Sequence, residues 1–380
     1  MEGPPRFEPL TEVDPRTRPG ECVLVDLSLL CKAELENPLD TIPGYQGPSA
    51  ARDARFARIG ERSLDLRLGA DKVQELQTMT YAEELQTLVM LFVFFFSFFF
   101  WPILLGVLVT FWSVTHAAVA VLIGFIVGRA LPIRRWPPFL LTRNMRYLLC
   151  KYFSLKIVTH EVLDAHTPWM FCSFPHGVFP VSNVLALVLV PVLRGFYFNG
   201  LAATALLKLP LAGNLLGMLG AEDCSKDNVR RLMMEERRSV ALLPGGITEI
   251  FYNSQGVECI YIKKRKGFVK LALQAGHPIV PIYTFGNTDL LHCLNWSILK
   301  WISAKLRVSI TFFWGRWGSP IPYRKPLLLA VGRPIDVPTV ANPSDAQINE
   351  YHQKVIDATI ALFDAHKADF GWGHKTLHIC

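Results

Sequence analysis

Residues 169–177 read Trp169-Met170-Phe171-Cys172-Ser173-Phe174-Pro175-His176-Gly177. Six largely apolar residues running into a proline, which cannot extend a β-ladder, predict a buried strand over 169–174 that stops at a stiff turn. The uncharged run Val178–Leu193 that follows predicts a helix. Short apolar runs recur downstream: Val240–Leu243, Ile279–Tyr283, Ser309–Phe313 and Leu327–Val331 are predicted strands. Helical patterns lie between them. Ser225 is placed to cap a helix through Arg238, and Ser344 with Gln347 forms a capping box before Ile348, Val355, Leu362 and Phe363, closed by Gly371. Strands alternating with helices predict an α/β domain, and no linker divides residues 150–380.

The turn after the first strand carries the candidate chemistry. A histidine beside a glycine at a strand end is held by short backbone and can take a proton from a hydroxyl, or it can simply be a hydrogen-bonded turn residue. Pro244-Gly245-Gly246-Ile247-Thr248-Glu249 ends the next strand. Its glycine amides could point at an oxyanion or a phosphate, and Glu249, one helical turn on, could orient His176 or bind a polar head group; a plain turn is the alternative. Lys263-Lys264-Arg265-Lys266-Gly267-Phe268-Val269-Lys270 is a basic cluster running into a predicted apolar helix, Val269–Ala275, and is either a solvated face or a cradle for the phosphates of a nucleotide-like ligand such as coenzyme A. Hydrolase, phosphate-loop, dinucleotide and zinc-helix motifs are absent from the sequence, which lowers those classes together.

Upstream, Leu85–Leu131 is 47 residues with one basic residue, Arg129, and no acidic one. A bilayer crossing takes about 20 apolar residues, so the length predicts a two-span helical hairpin, turning at Pro102, at Gly106 or within Trp112–His116. The basic flank Arg129, Arg134, Arg135, Arg143, Arg146 and Lys151 predicts both ends in the cytosol. Residues 1–80 hold eight prolines and no sustained periodicity, and are expected to be a polar, mostly flexible extension with short helices around 52–77. That extension carries a net charge of −4 and the remainder +11, within a total of +7. Half the chain is hydrophobic (51%), 19% is charged and the mean hydropathy is +0.27, which argues against a disordered or fully soluble protein. A basic body suits nucleic acid, anionic lipid or a phosphorylated ligand, and the 47-residue apolar run argues against nucleic acid. The eight scattered cysteines, without a Cys-x-x-Cys pair or a secretory leader, are expected as reduced thiols.

Taken together these residues resemble the type 2 acyl-CoA:diacylglycerol acyltransferase family, which includes monoacylglycerol and wax-alcohol acyltransferases. The resemblance runs from about residue 147 to 371, leaving 372–380 as a short tail. Phe174-Pro175-His176-Gly177 is similar to the family's His-Pro-His-Gly signature at three of four positions, and Gly245-Gly246-Ile247-Thr248-Glu249 to its Gly-Gly-x-x-Glu block. Arg265–Leu273 followed by Val280–Gly286 is the longest match, and Val331-Gly332-Arg333-Pro334-Ile335 and the segment from Tyr351 to Gly371 resemble closing blocks. Phe174 replaces the first histidine, Ser154 a proline, Asn287 a common glutamate, and Val181 stands where the wider glycerolipid acyltransferase group has an aspartate.

The resemblance implies a glycerolipid acyltransferase-like α/β domain that makes triacylglycerol from diacylglycerol and acyl-CoA, the latter a co-substrate, with no other cofactor and no metal. It implies His176 as general base with Glu249 in the missing aspartate's place. Gly177, Gly245 and Gly246 would form the turn and oxyanion donors, Lys263, Lys264, Arg265 and Lys266 the acyl-CoA phosphate site, and Phe174 and Pro175 the support. Membrane lipids are the expected partners, with a homo-oligomer left open. The expected place is the endoplasmic reticulum membrane, multi-pass, with the catalytic domain cytosolic and lipid-droplet association open. A monoacylglycerol or wax-alcohol acceptor is the alternative within the class, and a catalytically silent lipid-droplet scaffold the alternative outside it.

Overall fold

The computed structural model describes residues 23–26, 73–111, 113–130, 142–160, 163, 167–194, 198–251, 257–306, 309 and 311–380. The strands are β1 (Val23–Asp26), β2 (Lys156–Thr159), β3 (Met170–Phe174), β4 (Asn199–Ala202), β5 (Ala221–Asp223) and β6 (Val240–Leu242). They continue as β7 (Glu258–Ile260), β8 (Ile279–Phe285), β9 (His292–Cys293), β10 (Phe313–Trp314), β11 (Leu328–Val331) and β12 (Leu377–Ile379). Eight of them form one mixed sheet in the order β1-β2-β11-β8-β3-β6-β4-β5. From β8 across to β5 every pairing is parallel, while β11 runs antiparallel to β8.

The alternation along β3 explains why its sequence reads as a largely apolar run. Met170, Cys172 and Phe174 face one cluster, with Val240, Tyr283 and Phe285. Phe171 faces the other, with Phe198 and Val280. A strand buried on both faces has no polar side to show. Each large apolar side chain removed from water contributes about 1.5–3 kcal/mol.

Seven helices position the site and the apolar segment. They are α1 (Tyr81–Phe111), α2 (Val114–Ala130), α3 (Arg143–Tyr152), α4 (Val181–Arg194), α5 (Gly246–Ile250), α6 (Gly267–Ala275) and α7 (Asp345–His366). Helices α6 and α7 cover the face with Phe174. The predicted capping box starts α7: Ser344 Oγ accepts from the Gln347 N–H and the Gln347 side chain accepts from the Ser344 N–H.

Helix α1 is more than a strap beside the domain. Its Leu91 and Phe95 are buried in a cluster with Tyr152, Phe153, Leu155 and Val181, and Glu83 and Glu84 in its first turn pair with Lys151 (2.8 Å) and Arg316 (2.7 Å). The helix runs through Pro102 and Gly106, two of the expected turning points, to Phe111, and α2 begins at Val114. The two helices approach closely where Gly124 faces the Trp101 ring, and Trp101 Nε1 donates to the Pro210 carbonyl. Among the described residues one helix, over Tyr81–Trp101, is long and apolar enough to cross a bilayer. Helix α2, at 17 residues, is about 26 Å long against a hydrocarbon core of ~30 Å.

Several expectations are corrected. The strand expected at 309–313 is the two-residue β10, paired with β9 outside the main sheet. Its apolar residues serve α1 instead, with the Phe313 ring 5.0 Å from Phe99 and 6.3 Å from Phe95. The helix begun at Ser225 is regular only to Arg230 and is wider-wound over Arg231–Glu235, ending before Arg237, whose φ is +47°. The Ser225 hydroxyl makes no cap. The N-terminal extension is not wholly unpaired, because β1 joins β2 as an antiparallel edge strand; the helices expected around 52–77 fall almost entirely outside the described residues. Cys259 and Cys380 are joined as a disulfide, against the expectation of reduced thiols. The parallel pairing of β12 with β7 brings these two cysteines together across 121 residues, a proximity that scattered positions in sequence do not reveal.

Candidate active site

Strands β8, β3 and β6 are adjacent and parallel, so the segments leaving their carboxyl ends meet at one edge of the sheet. In open α/β sheets that edge is where ligands bind. His176 leaves β3, Glu249 follows β6 on α5, and Asn287 follows β8. Residues far apart in sequence thus converge without any local motif joining them.

His176 is half-buried, and its Nδ1 lies 2.9 Å from the Gly177 carbonyl oxygen. A carbonyl can only accept, so that contact assigns the proton to Nδ1 and leaves the lone pair on Nε2. Burial pushes the imidazole pKa below its ordinary value, opposed by the Gly177 bond, so the ring is neutral near pH 7.

Glu249 is fully buried, and its carboxyl bonds backbone amides. Its Oε2 accepts from the backbone N–H of His176 and its Oε1 from the backbone N–H of Tyr261, each at 3.1 Å. Glu249, expected to orient His176 or to bind a polar head group, makes its bond to His176 at the backbone N–H. Burial raises its pKa to about 7, against the lowering effect of the two N–H bonds and of Arg265. Two glycines make these approaches feasible. A Cβ on Gly245 would lie 2.1 Å from Glu249 Oε2, and one on Gly177 would lie 2.5 Å from Asn287 Nδ2. The expectation of Gly246 as an oxyanion donor is corrected, because its N–H bonds the Leu243 carbonyl at 3.1 Å.

Asn287 was legible in sequence only as a departure from the resemblance. Its Nδ2 donates to the His176 carbonyl at 2.9 Å and its Oδ1 accepts from the Ser182 hydroxyl at 3.3 Å. The one signal that could have singled it out is its place directly after the glycine that ends a strong buried strand. Phe174 and Pro175 are buried beneath the turn. Phe179, three residues past His176, packs its ring 5.0–5.8 Å from Phe94, Phe95 and Phe98 of α1.

Lys263, Lys264, Arg265 and Lys266 are exposed on the turn between β7 and α6. Glu249 joins that turn to His176 through the Tyr261 N–H. Arg265 Nη2 donates to Thr248 Oγ1 at 3.0 Å and stacks over the Tyr261 ring, and Lys266 Nζ donates to Asn349 at 2.6 Å. The N–H groups of Ile262 and Lys263 donate to the Cys380 carbonyl. The four basic side chains thus sit on a braced turn adjoining α5.

A family model described as diacylglycerol acyltransferase matches residues 134–379. The chain is 30% identical over 240 residues to acyl-CoA wax alcohol acyltransferase 2 of Homo sapiens, covering 58% of this chain and 72% of that one. It is 29% identical over 245 residues to 2-acylglycerol O-acyltransferase 3 of Homo sapiens, covering 58% and 70%. It is 30% identical over 247 residues to diacylglycerol O-acyltransferase 2 of Homo sapiens, covering 58% and 62%. A solved 1-acyl-sn-glycerophosphate acyltransferase from Thermotoga maritima matches with a TM-score of 0.34 at 12% identity, over 71% of this chain and 95% of that one, a likeness too slight to carry an argument.

Proposed function

Because this chain belongs to the diacylglycerol acyltransferase family, we propose that it transfers a fatty acyl group from acyl-CoA to the free hydroxyl of diacylglycerol. The observation that carries the reading is the 2.9 Å contact between His176 Nδ1 and the Gly177 carbonyl, which assigns the proton to Nδ1 and leaves Nε2 as the basic atom. Nε2 takes the hydroxyl proton as the oxygen attacks the thioester carbon. The carbon–sulfur bond then breaks, and the proton passes from the imidazolium to the departing CoA thiolate. General-base assistance of this kind contributes roughly 10²–10⁴ in rate. Glu249 and Asn287 hold the turn that aims the ring.

Acyl-CoA arrives from water and diacylglycerol from a leaflet, so the site must open at an interface. Helix α1 supports that arrangement: it is apolar over a bilayer's length, and its phenylalanines pack on Phe179 beside His176. In this reading the α1–α2 pair enters the endoplasmic reticulum membrane as a hairpin from the cytosolic side. The basic turn Lys263–Lys266 holds the CoA phosphates. Changing these four residues together to Gln is expected to raise KM for acyl-CoA by roughly tenfold, to weaken its salt dependence and to leave kcat within about threefold. Initial-rate kinetics at two ionic strengths check this, and an unchanged KM removes the turn from the donor site.

A second reading within the class is favoured by the relatives, since a wax-alcohol and a 2-acylglycerol acyltransferase match as strongly as a diacylglycerol acyltransferase. The test is ester formation from labelled acyl-CoA with diacylglycerol, monoacylglycerol or long-chain alcohol offered in turn, using microsomes of a host lacking neutral-lipid synthesis. Triacylglycerol as the dominant product supports the proposal. Preference for another acceptor transfers it to that substrate, and refusal of all three leaves a non-catalytic lipid scaffold.

A further inference from the structure

We infer that Asn287 is a positioning residue for His176, gripping the carbonyl side of the turn whose amide side Glu249 holds; the inference rests on the acyl-transfer reading above for its kinetic consequence alone. Asn287 is 1% exposed, at the carboxyl end of the buried strand β8. Its Nδ2 donates to the His176 carbonyl at 2.9 Å and lies 3.5 Å from the Pro175 carbonyl. Its Oδ1 faces Ser182, 3.3 Å from the hydroxyl and 3.5 Å from the backbone N–H. One amide therefore ties Pro175 and His176 to the start of α4.

The consequence follows from peptide planarity. The His176 carbonyl belongs to the same rigid plane as the Gly177 N–H, so fixing it limits rotation on either side. The Gly177 carbonyl lies one unit further along and holds ring Nδ1. Glu249 fixes the preceding plane through the His176 N–H. With both planes held and Nδ1 bonded to the Gly177 carbonyl, the imidazole is aimed through the backbone that Asn287 and Glu249 fix. Nδ2 must donate toward carbonyls while Oδ1 accepts from Ser182, and an unprotonated carboxylate, which only accepts, would face the His176 and Pro175 carbonyls unfavourably. Gly177 belongs to the same arrangement, because its missing Cβ is what admits the Asn287 amide.

The experiment is a double-mutant cycle on the full chain in microsomes, together with hydrogen exchange in detergent micelles. Asn287→Leu keeps the size and removes both bonding functions. It is expected to lower kcat by roughly tenfold or more and to leave KM for acyl-CoA within about twofold. In a His176→Ala background the same change is expected to cost nothing further, because its effect passes through His176. An equal loss in both backgrounds, a change confined to KM, or no change in kcat overturns the inference. Ser182→Ala, which removes one partner and no bulk, is expected to lower kcat by about two- to fivefold with the same dependence on His176, and it serves if Asn287→Leu does not fold. Backbone exchange in the peptide spanning 174–182 is expected to quicken in either variant, and unchanged exchange overturns the inference whatever reaction the protein catalyses. A wild type inactive toward every acceptor, with faster exchange in the variants, refutes the acyl-transfer reading and leaves the grip standing.

Discussion

His176→Ala is expected to lower the rate of acyl transfer by ~100-fold or more while the chain remains folded. The two halves of that statement rest on different observations. The ring is half-buried and bonds the carbonyl of its own neighbour Gly177, while the core beneath is supplied by Phe174, so truncation leaves that core in place. The basic lone pair at Nε2, by contrast, has no substitute. The turn is otherwise held through backbone atoms, which alanine retains. Initial rates in matched microsomes, with expression and Tm measured alongside, decide it. A variant within tenfold of wild type would remove His176 from the proton-transfer step. Because burial lowers the imidazole pKa from its ordinary ~6.5, the wild-type rate should also hold its plateau to a pH below that value before falling as the ring protonates.

Glu249→Gln should produce the second largest effect, and one with a distinctive pH signature. The carboxyl oxygens accept N–H bonds from His176 and Tyr261. An amide has one oxygen, so one buried donor must face an NH₂ group, at a cost of about 1–3 kcal/mol. A loss of 10- to 100-fold in kcat is expected as the His176 turn and the basic turn lose their common tie.

The sign of the stability change follows from the raised pKa. Burial takes Glu249 to about 7 from the ordinary 4.5, so its contribution to wild-type stability is fully present below pH 4.5 and is lost as pH rises through 7. The amount is on the order of 3 kcal/mol. The variant lacks this titration, so its deficit in Tm against wild type should be larger at pH 5 than at pH 8. An equal deficit at both would show that Glu249 does not titrate in that range.

The parts of this architecture that could be read from sequence are those whose cause is local. Residues 169–174 stop at Pro175 because proline cannot continue a strand, and Ser344 with Gln347 starts a helix because their side chains satisfy its first amides. The short strands β2, β4, β5 and β7 were not legible. Asn199-Gly200-Leu201-Ala202, for example, has no apolar period of its own and is a strand because β6 and β5 flank it. In the site, His176, Gly245 and Glu249 stood out because glycine and histidine at strand ends are locally unusual. The partner of Glu249 did not, since a carboxylate placed near a histidine suggests the ring and only the folded backbone shows the bond going to the amide. Asn287 and Ser182 lie 105 residues apart in sequence and nothing in either segment announces the other.

The burial of Leu91 and Phe95 among Tyr152, Phe153 and Leu155 has a practical consequence for anyone wishing to purify the α/β part of the chain without detergent. Cutting the chain after residue 130 would strip the partner surface from Phe179 and Phe313 as well as from that cluster. A freshly bared aromatic patch beside His176 would aggregate or recruit detergent. The apolar helix is thus no mere tether, and biochemical work on this enzyme should begin with the helix left in place.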